Sequence, residues 1–271
     1  MIELEDFHED ILSKAMRGFG IGKNEMASQL DCKKDDIKNI LAGNFDEKMV
    51  SSMACWLNLD PRKLLISANK EWAPEAEKLI GLKQFNHPFG SMLVNAFVTW
   101  CDETKKAWIF DTGPMADLIT DFLESNNLQV DAIFLTHTHI DHIACLPDLK
   151  QKTNNSSVYV HELEFIEGCN PITEGFEHQC GSLSLQALHT HGHSVGGTTY
   201  KINGLGKQVA IVGDAVFAGS MGGGMISYED ALRTNREKIM TLPDETILCP
   251  GHGPMTTVKE EKEYNPFFPE F

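Results

Sequence analysis

At 271 residues with 42% hydrophobic content, the chain can bury a sizeable core as one domain or two, and its formal net charge of −16 sets the surface against nucleic acids and anionic membranes. The acidic start Met1-Ile2-Glu3-Leu4-Glu5-Asp6 does not read as a signal peptide, and no apolar run is long enough to span a bilayer. The seven cysteines are scattered and form no Cys-x-x-Cys pair, which argues for reduced thiols in a cytoplasmic protein.

Residues 1–72 read as short helices. Leu4, Phe7, Ile11, Leu12, Ala15 and Met16 recur at helical spacing, and Gly18-Phe19-Gly20 ends the run. Two more helices are expected over Lys23 to Leu30 and Lys34 to Leu41, a fourth over Glu47 to Leu57, and a fifth opened by Asp60-Pro61. The second and third resemble the helix-turn-helix of the Cro/phage-repressor (Xre-like) family. Met26-Ala27, Asp31, Cys32-Lys33, Ile37 and Gly43 take that pattern's places, with Asp31 where the turn glycine usually stands. The resemblance implies DNA as a partner, but charge does not favour it. Residues 1–75 hold ten Lys/Arg against fourteen Asp/Glu, a net of −4, and phosphate attraction dominates DNA affinity. The competing reading is a five-helix bundle that packs on the rest of the chain or forms a homodimer. Residues 73–81, with a break at Ala73-Pro74-Glu75, read as a linker.

From residue 82 to the end, strand and helix signals alternate. Strands are expected over Met92 to Cys101, Ala107 to Phe110, Asp131 to Leu135, Val158 to Val160, Gly181 to Leu188, Thr198 to Ile202 and Gln208 to Val212. Helices are expected over Met115 to Ser125, Leu146 to Lys152, His161 to Gly168 and Tyr228 to Leu242. Asp111, before Thr112-Gly113, either caps the turn that follows or, as the family resemblance given below implies, orients a metal-binding histidine.

The densest chemistry lies in Thr136-His137-Thr138-His139-Ile140-Asp141-His142, at the exit of the expected strand Asp131 to Leu135. Imidazoles and carboxylates suit Zn²⁺ and related borderline cations. His137 and His139 are two apart, so in extended chain they point the same way, whereas Asp141 and His142 follow the turn and can face a second ion. This His-x-His-x-Asp-His run resembles the signature of the metallo-β-lactamase superfamily. Thr190-His191-Gly192-His193-Ser194-Val195-Gly196, Gly213-Asp214-Ala215-Val216-Phe217 and Pro250-Gly251-His252-Gly253-Pro254 resemble its later motifs.

The resemblance implies an α+β fold, an αββα sandwich behind the small all-α N-terminal segment. It assigns His137, His139 and His193 to one metal, Asp141, His142 and His252 to the other, and Asp214 as the bridge. It implies two divalent metal ions, Zn²⁺ first with Fe or Mn as alternatives, and hydrolysis of a small-molecule acyl substrate by metal-bound hydroxide, with Asp141 both ligand and catalytic orienter. Gly251 to Thr257, Glu260-Glu261 and Asn265-Pro266-Phe267 resemble the glyoxalase II-like branch, which acts on thioesters. That branch often carries Gly-Ser-x-Gly-Arg-x-Asp after the bridging aspartate. Here Gly219-Ser220-Met221-Gly222-Gly223-Gly224 lacks both Arg and Asp, which argues against glutathione. The superfamily also offers a mononuclear iron persulfide dioxygenase as an alternative, and the N-terminal segment a DNA-binding regulator with a metal-binding sensor. His189 and His191 read as packing groups or as residues that support a ligand from behind, and His8, His87, His161 and His178 as ordinary surface or core residues.

Overall fold

The computed structural model describes residues 2–75 and 78–271. The expected linker therefore lies partly outside the described residues. Five helices come first: α1 (His8–Gly18), α2 (Lys23–Gln29), α3 (Lys34–Ile40), α4 (Glu47–Trp56) and α5 (Pro61–Ala68). The chain before α1 is extended, because Phe7 at φ −119° and ψ −172° starts the helix later than Leu4 suggested. Asp31 at φ +48° makes the turn between α2 and α3, a left-handed position that a short polar side chain tolerates. Asp46 caps α4 and Asp60 caps α5, each accepting from the backbone N–H three residues on.

Two six-stranded sheets follow. The first runs in order β1 (Leu82–Phe89), β2 (Met92–Trp100), β3 (Lys106–Phe110), β4 (Gln129–Phe134), β5 (Ser157–His161) and β6 (Asn170–Ile172). The second contains β7 (Glu177–Cys180), β8 (Leu183–His189), β9 (Thr198–Asn203), β10 (Val209–Gly213), β11 (Ile247–Pro250) and β12 (Thr256–Thr257), stacked in that order from one edge to the other. Outside them lie α6 (Ala116–Ser125), α7 (Ile140–Ile143), α8 (Leu146–Lys152), α9 (Tyr228–Thr234) and α10 (Val258–Tyr264).

Alternation along the strands builds the layers. Phe97, Phe110, Phe134, Tyr200, Ile211 and Cys249 meet between the sheets, while their neighbours Val98, Ile109 and Ile133 face α6 and α8 on one outer side. Ala210, Val212 and Leu248 face Ile239, Met240 and Phe268 on the other. Strands covered on both faces read as continuous apolar runs, which is why β4 and β10 stood out in the sequence. The result is the αββα sandwich.

Three local expectations need correction. A strand, β1, precedes the first one foreseen; it pairs antiparallel with β2 across a tight turn and its burial alternates irregularly, so the pattern hid it. In place of the helix expected over residues 161–168, His161 ends β5 and residues 162–168 are turns and irregular chain, since Glu164 is spent on contacts to two neighbouring loops. The helix over Tyr228 to Leu242 changes to a π-helix at Asn235–Ile239, where Asn235 Nδ2 donates to Ala215 O at 2.7 Å.

The helical segment packs directly on the sandwich. Ile11, Leu12, Met26, Ile37, Val50 and Leu64 form one buried cluster that also takes in Met221, Tyr228, Ala231 and Phe267. Lys63, almost wholly buried, donates to Lys262 O and Phe268 O at 2.7 Å each. Among the described residues no helix is long and apolar enough to cross a membrane.

Candidate metal centre

Parallel pairing of β3 with β4 and of β10 with β11 puts the C-terminal ends of these strands on one rim. The motif residues emerge there. His137 and His139 follow β4, Asp141 and His142 sit on α7, His193 follows β8, Asp214 follows β10 and His252 follows β11. The structure brings all seven together in two groups: His137, His139, His193 and Asp214, and Asp141, His142 and His252. Within each group the candidate ligand atoms lie within 4.8 Å of one another.

Asp214 stands between the groups. Its Oδ2 lies 3.3 Å from His193 Nε2, 4.0 Å from His137 Nε2 and 3.5 Å from His252 Nε2, while its Oδ1 lies 3.3 Å from His142 Nε2. Asp141 Oδ2 lies 3.3 Å from His252 Nε2 and 3.5 Å from His142 Nε2.

Outer contacts set which nitrogen faces inward. His142 Nδ1 bonds Asp111 Oδ2 at 2.9 Å, His193 Nδ1 bonds Gly223 O at 2.9 Å, and His252 Nδ1 bonds Leu93 O at 2.7 Å. A carbonyl or carboxylate there takes the Nδ1–H and leaves Nε2 as a lone pair for the centre. His137 Nδ1 touches Thr136 Oγ1 at 3.0 Å. His139 is the exception and turns Nδ1 inward, 3.0 Å from His137 Nε2 and 2.9 Å from His193 Nε2.

Asp111 therefore orients a histidine, the second of its two readings. It also accepts from Thr136 N and Thr136 Oγ1, both at 2.7 Å, and holds φ +55° to do so. We expect Asp111→Asn to weaken metal retention by about 10- to 100-fold, because an amide no longer fixes the His142 tautomer. Chelator competition on the purified variant measures this; unchanged affinity would remove the orienting role.

A cation fits this centre. His142 Nε2 and Asp214 Oδ1 are buried and hydrogen-bonded to nothing among the described residues. One imidazole nitrogen, His139 Nδ1, faces two others, which sharing a single proton does not satisfy. Burial holds the His137 imidazole well below its usual range, so it is neutral and free to coordinate. Burial also lowers His142 and His252, but Asp214 outweighs it and pulls them up to about 10 and about 11. Burial would raise the Asp214 carboxyl, yet His252 and His142 hold it well below the carboxylate range. The centre thus demands positive charge, and protons on His142 and His252 compete with bound cations for it.

Glycines make room where the ligands crowd. A Cβ on Gly251 would lie 2.2 Å from Asp214 Oδ1 and 2.6 Å from His142 Cε1. Asn95, which no motif flagged, is fully buried and ties the same loop down, donating from Nδ2 to Pro250 O at 2.9 Å and Gly253 O at 2.8 Å. Glu164 was also missed. It accepts from Thr138 Oγ1 and, at 2.9 Å, from Gly196 N, joining the first motif to the His193 loop. Neither residue sits at a recognisable spacing; only folding puts them beside the ligands. Of the other histidines, His161, His189 and His191 stack beside one another and His87 is buried, none in either group.

Two packed six-stranded sheets with histidines and aspartates converging at one rim define a metal-dependent hydrolase class. The chain belongs to the metallo-β-lactamase superfamily, whose sequence pattern matches residues 90–168 and 169–252. The N-terminal helices lie outside that match. Over 210 residues the chain is 30% identical to the probable metallo-hydrolase YqgX of Bacillus subtilis, spanning 68% of this chain and 96% of that protein. It is 29% identical over 204 residues to the hydroxyacylglutathione hydrolase GloC of Haemophilus influenzae, spanning 66% of this chain and 95% of that protein. The crystal structure of the BLEG-1 B3 metallo-β-lactamase superposes with a TM-score of 0.60 at 31% identity, covering 69% of this chain and 99% of that one. Members of this superfamily hold divalent metals, typically two.

Proposed function

We propose that this protein is a binuclear metal-dependent hydrolase of thioesters or related esters. The observation that carries the reading is the Asp214 carboxylate standing between two complete groups of donors. His137, His139 and His193 would hold one ion, Asp141, His142 and His252 the other, and Asp214 would bridge them. The donor set of imidazoles and carboxylates suits Zn²⁺, with Fe or Mn as alternatives. When bound, such a pair supplies hydroxide near neutral pH and polarises an acyl carbonyl.

The chain's own residues do the rest. Asp141 would offer a carboxylate oxygen both to hold an ion and to orient the hydroxide such a pair supplies, and Asp214 would hold the two ions together. Asp111, Gly223 and Leu93 fix the imidazoles, so the site is organised before substrate arrives. Exposed Ile140, at the start of α7, and exposed Val195 and Phe165, on loops, flank the ligands and offer an apolar surface for the acyl part. The name carried by the Haemophilus influenzae relative supports a thioester substrate. The glycine run at 219–224 lacks the Arg and Asp of that branch, so the thiol part is proposed to be other than glutathione.

A mononuclear iron dioxygenase would leave Asp141, His142 and His252 without a task, so their convergence favours two metals. A DNA-reading role fits less well: on α3 the exposed Lys38 is paired with Asp35 at 2.6 Å. A small acyl compound in the cytoplasm, met by a monomer or homodimer, is the proposed setting.

Metal analysis followed by a panel of thioesters, lactones and β-lactams tests the reading. About two metals per chain with turnover on thioesters supports it; one iron per chain and oxygen uptake would replace it. We expect His139→Ala to lose metal by at least about tenfold in affinity and to be nearly inactive, since one donor of the first group is gone. Full metal content with full turnover in that variant would mean that the ligand assignment is wrong.

A further inference from the structure

The family match begins at residue 90, yet the helices before it reach the metal centre. The link is the turn at residues 217–224. Phe217 and Ser220 pair with one another, N to O at 3.0 Å in both directions. Gly223 O receives His193 Nδ1 at 2.9 Å, and a Cβ on Gly222 would lie 2.0 Å from Asp214 O and 2.9 Å from His193 Nδ1. The Phe217 ring meets the His252 ring edge-on at 5.5 Å. Any shift of this turn therefore moves donors in both groups.

Helix α1 and the extended chain before it hold the turn from one side. Lys14 Nζ donates to Met221 O at 2.9 Å, forms an ion pair with Asp6 and lies over the Phe217 ring at 4.7 Å. Asp6 accepts from Ser220 Oγ at 2.6 Å. The Lys14 and Asp6 side chains are only 13% and 7% exposed, so solvent does little to screen them. A surface pair would contribute little to geometry; a buried one that is fully hydrogen-bonded specifies it. From the other side Glu261 accepts from Gly219 N at 3.1 Å, from Thr256 Oγ1 at 2.8 Å and from Asn265 Nδ2 at 2.7 Å. Asn265 Nδ2 also donates to Ser220 O at 2.7 Å. The turn, rich in glycine and short of its own side-chain anchors, is clamped between these two sets.

We infer that the N-terminal helical segment is a brace of the metal centre: the Lys14–Asp6 pair positions the turn whose Gly223 carbonyl aims His193. Lys14 and Asp6 are positioning residues, not catalytic ones. The inference rests on the binuclear reading above, but its test reads metal affinity and needs no substrate. It also changes what the segment is for: a support whose removal costs the site its order.

The experiment compares the full-length wild type with Lys14→Met, with the double variant Lys14→Met/Asp6→Leu, and with Ile37→Val. Ile37 is buried on α3 in the apolar cluster shared with Met221 but makes none of the polar contacts to the turn, so Ile37→Val loosens the bundle and keeps the Lys14–Asp6 pair. Zinc dissociation constants are measured by chelator competition, with circular dichroism and melting temperature alongside. Lys14→Met is expected to raise at least one zinc dissociation constant by about 10- to 100-fold, the range for partners that orient a ligand. The double variant removes the buried charge left by the single one, so it folds even where Lys14→Met does not, and it keeps the metal defect. Ile37→Val lowers the melting temperature and leaves both constants unchanged. Wild-type constants in a folded Lys14→Met or double variant would overturn the brace, as would an equal defect in Ile37→Val. A wild-type chain that binds no zinc, iron or manganese would instead overturn the binuclear reading and the brace with it.

Discussion

Asp214→Asn is expected to lose at least one metal per chain and to reduce turnover by more than about 100-fold, beyond the range for residues that only touch a ligand. The carboxylate faces both sets of donors, at 3.3 Å from His142 Nε2 through Oδ1 and 3.3 Å from His193 Nε2 through Oδ2. Two cations held close together repel one another strongly in a buried pocket, and a negative charge between them offsets that repulsion. Asparagine keeps the shape and removes the charge, and its amide nitrogen offers hydrogens where lone pairs are needed. The fold should survive, because the Asp214 side chain is not part of any apolar cluster. Metal stoichiometry and circular dichroism on the variant decide the matter. Two metals per chain and near wild-type hydrolysis would sink the binuclear mechanism.

The second large effect is expected from a residue with no functional group. Gly251→Ala places a methyl where Asp214 Oδ1 stands at 2.2 Å and His142 Cε1 at 2.6 Å. Contacts this short are not tolerated, so either the bridging carboxylate, His142 or the loop itself must move. The loop is held by Asn95, whose N–H donates to Gly251 O at 2.7 Å and whose Nδ2 donates on both sides of it. His142 is fixed by Asp111, and its backbone carbonyl is held by Thr112 N at 2.8 Å. Asp214 is therefore the group that gives way. The variant should cost about 1–3 kcal/mol of stability as an overpacked site and lose the bridge as well. Differential scanning calorimetry in chelator separates the packing cost from the metal-dependent part, and metal titration measures the rest. If the Gly251→Ala variant bound two metals as tightly as the parent, the pocket would be softer than its contacts indicate.

Much of this protein follows from local sequence. Alternating and continuous apolar runs announced β2, β3, β4 and β10, because a strand buried on both faces leaves a mark in every residue. The cap at Asp60 marked α5, since capping is decided within four residues, whereas the Asp46 cap of α4 came to light only in the structure. The donors of the first motif announce themselves for the same reason: His137, His139, Asp141 and His142 lie in one short stretch at a strand end. His193, Asp214 and His252 were reached through motif resemblance, not from their own spacing.

What the tertiary structure alone decided lies between segments far apart in the chain. The role of Asp111 was open in the sequence, as cap or as orienter, until β3 and β4 paired in parallel and put it 2.9 Å from His142. Strand β1 was hidden because its burial is set by the helices and loops above it. Glu164 sat within an expected helix, yet two loops that need an acceptor hold those residues as turns. Gly251 looked like motif punctuation, whereas its lack of a side chain is what lets the Asp214 carboxylate in. The helical segment read as a separate unit by its run of short helices and its break near Pro74, and only its packing shows Lys14 and Asp6 joined to the turn behind His193. Sequence neighbours determine secondary structure and the choice of ligand chemistry; distances across the fold determine which nitrogen faces inward and what holds it there.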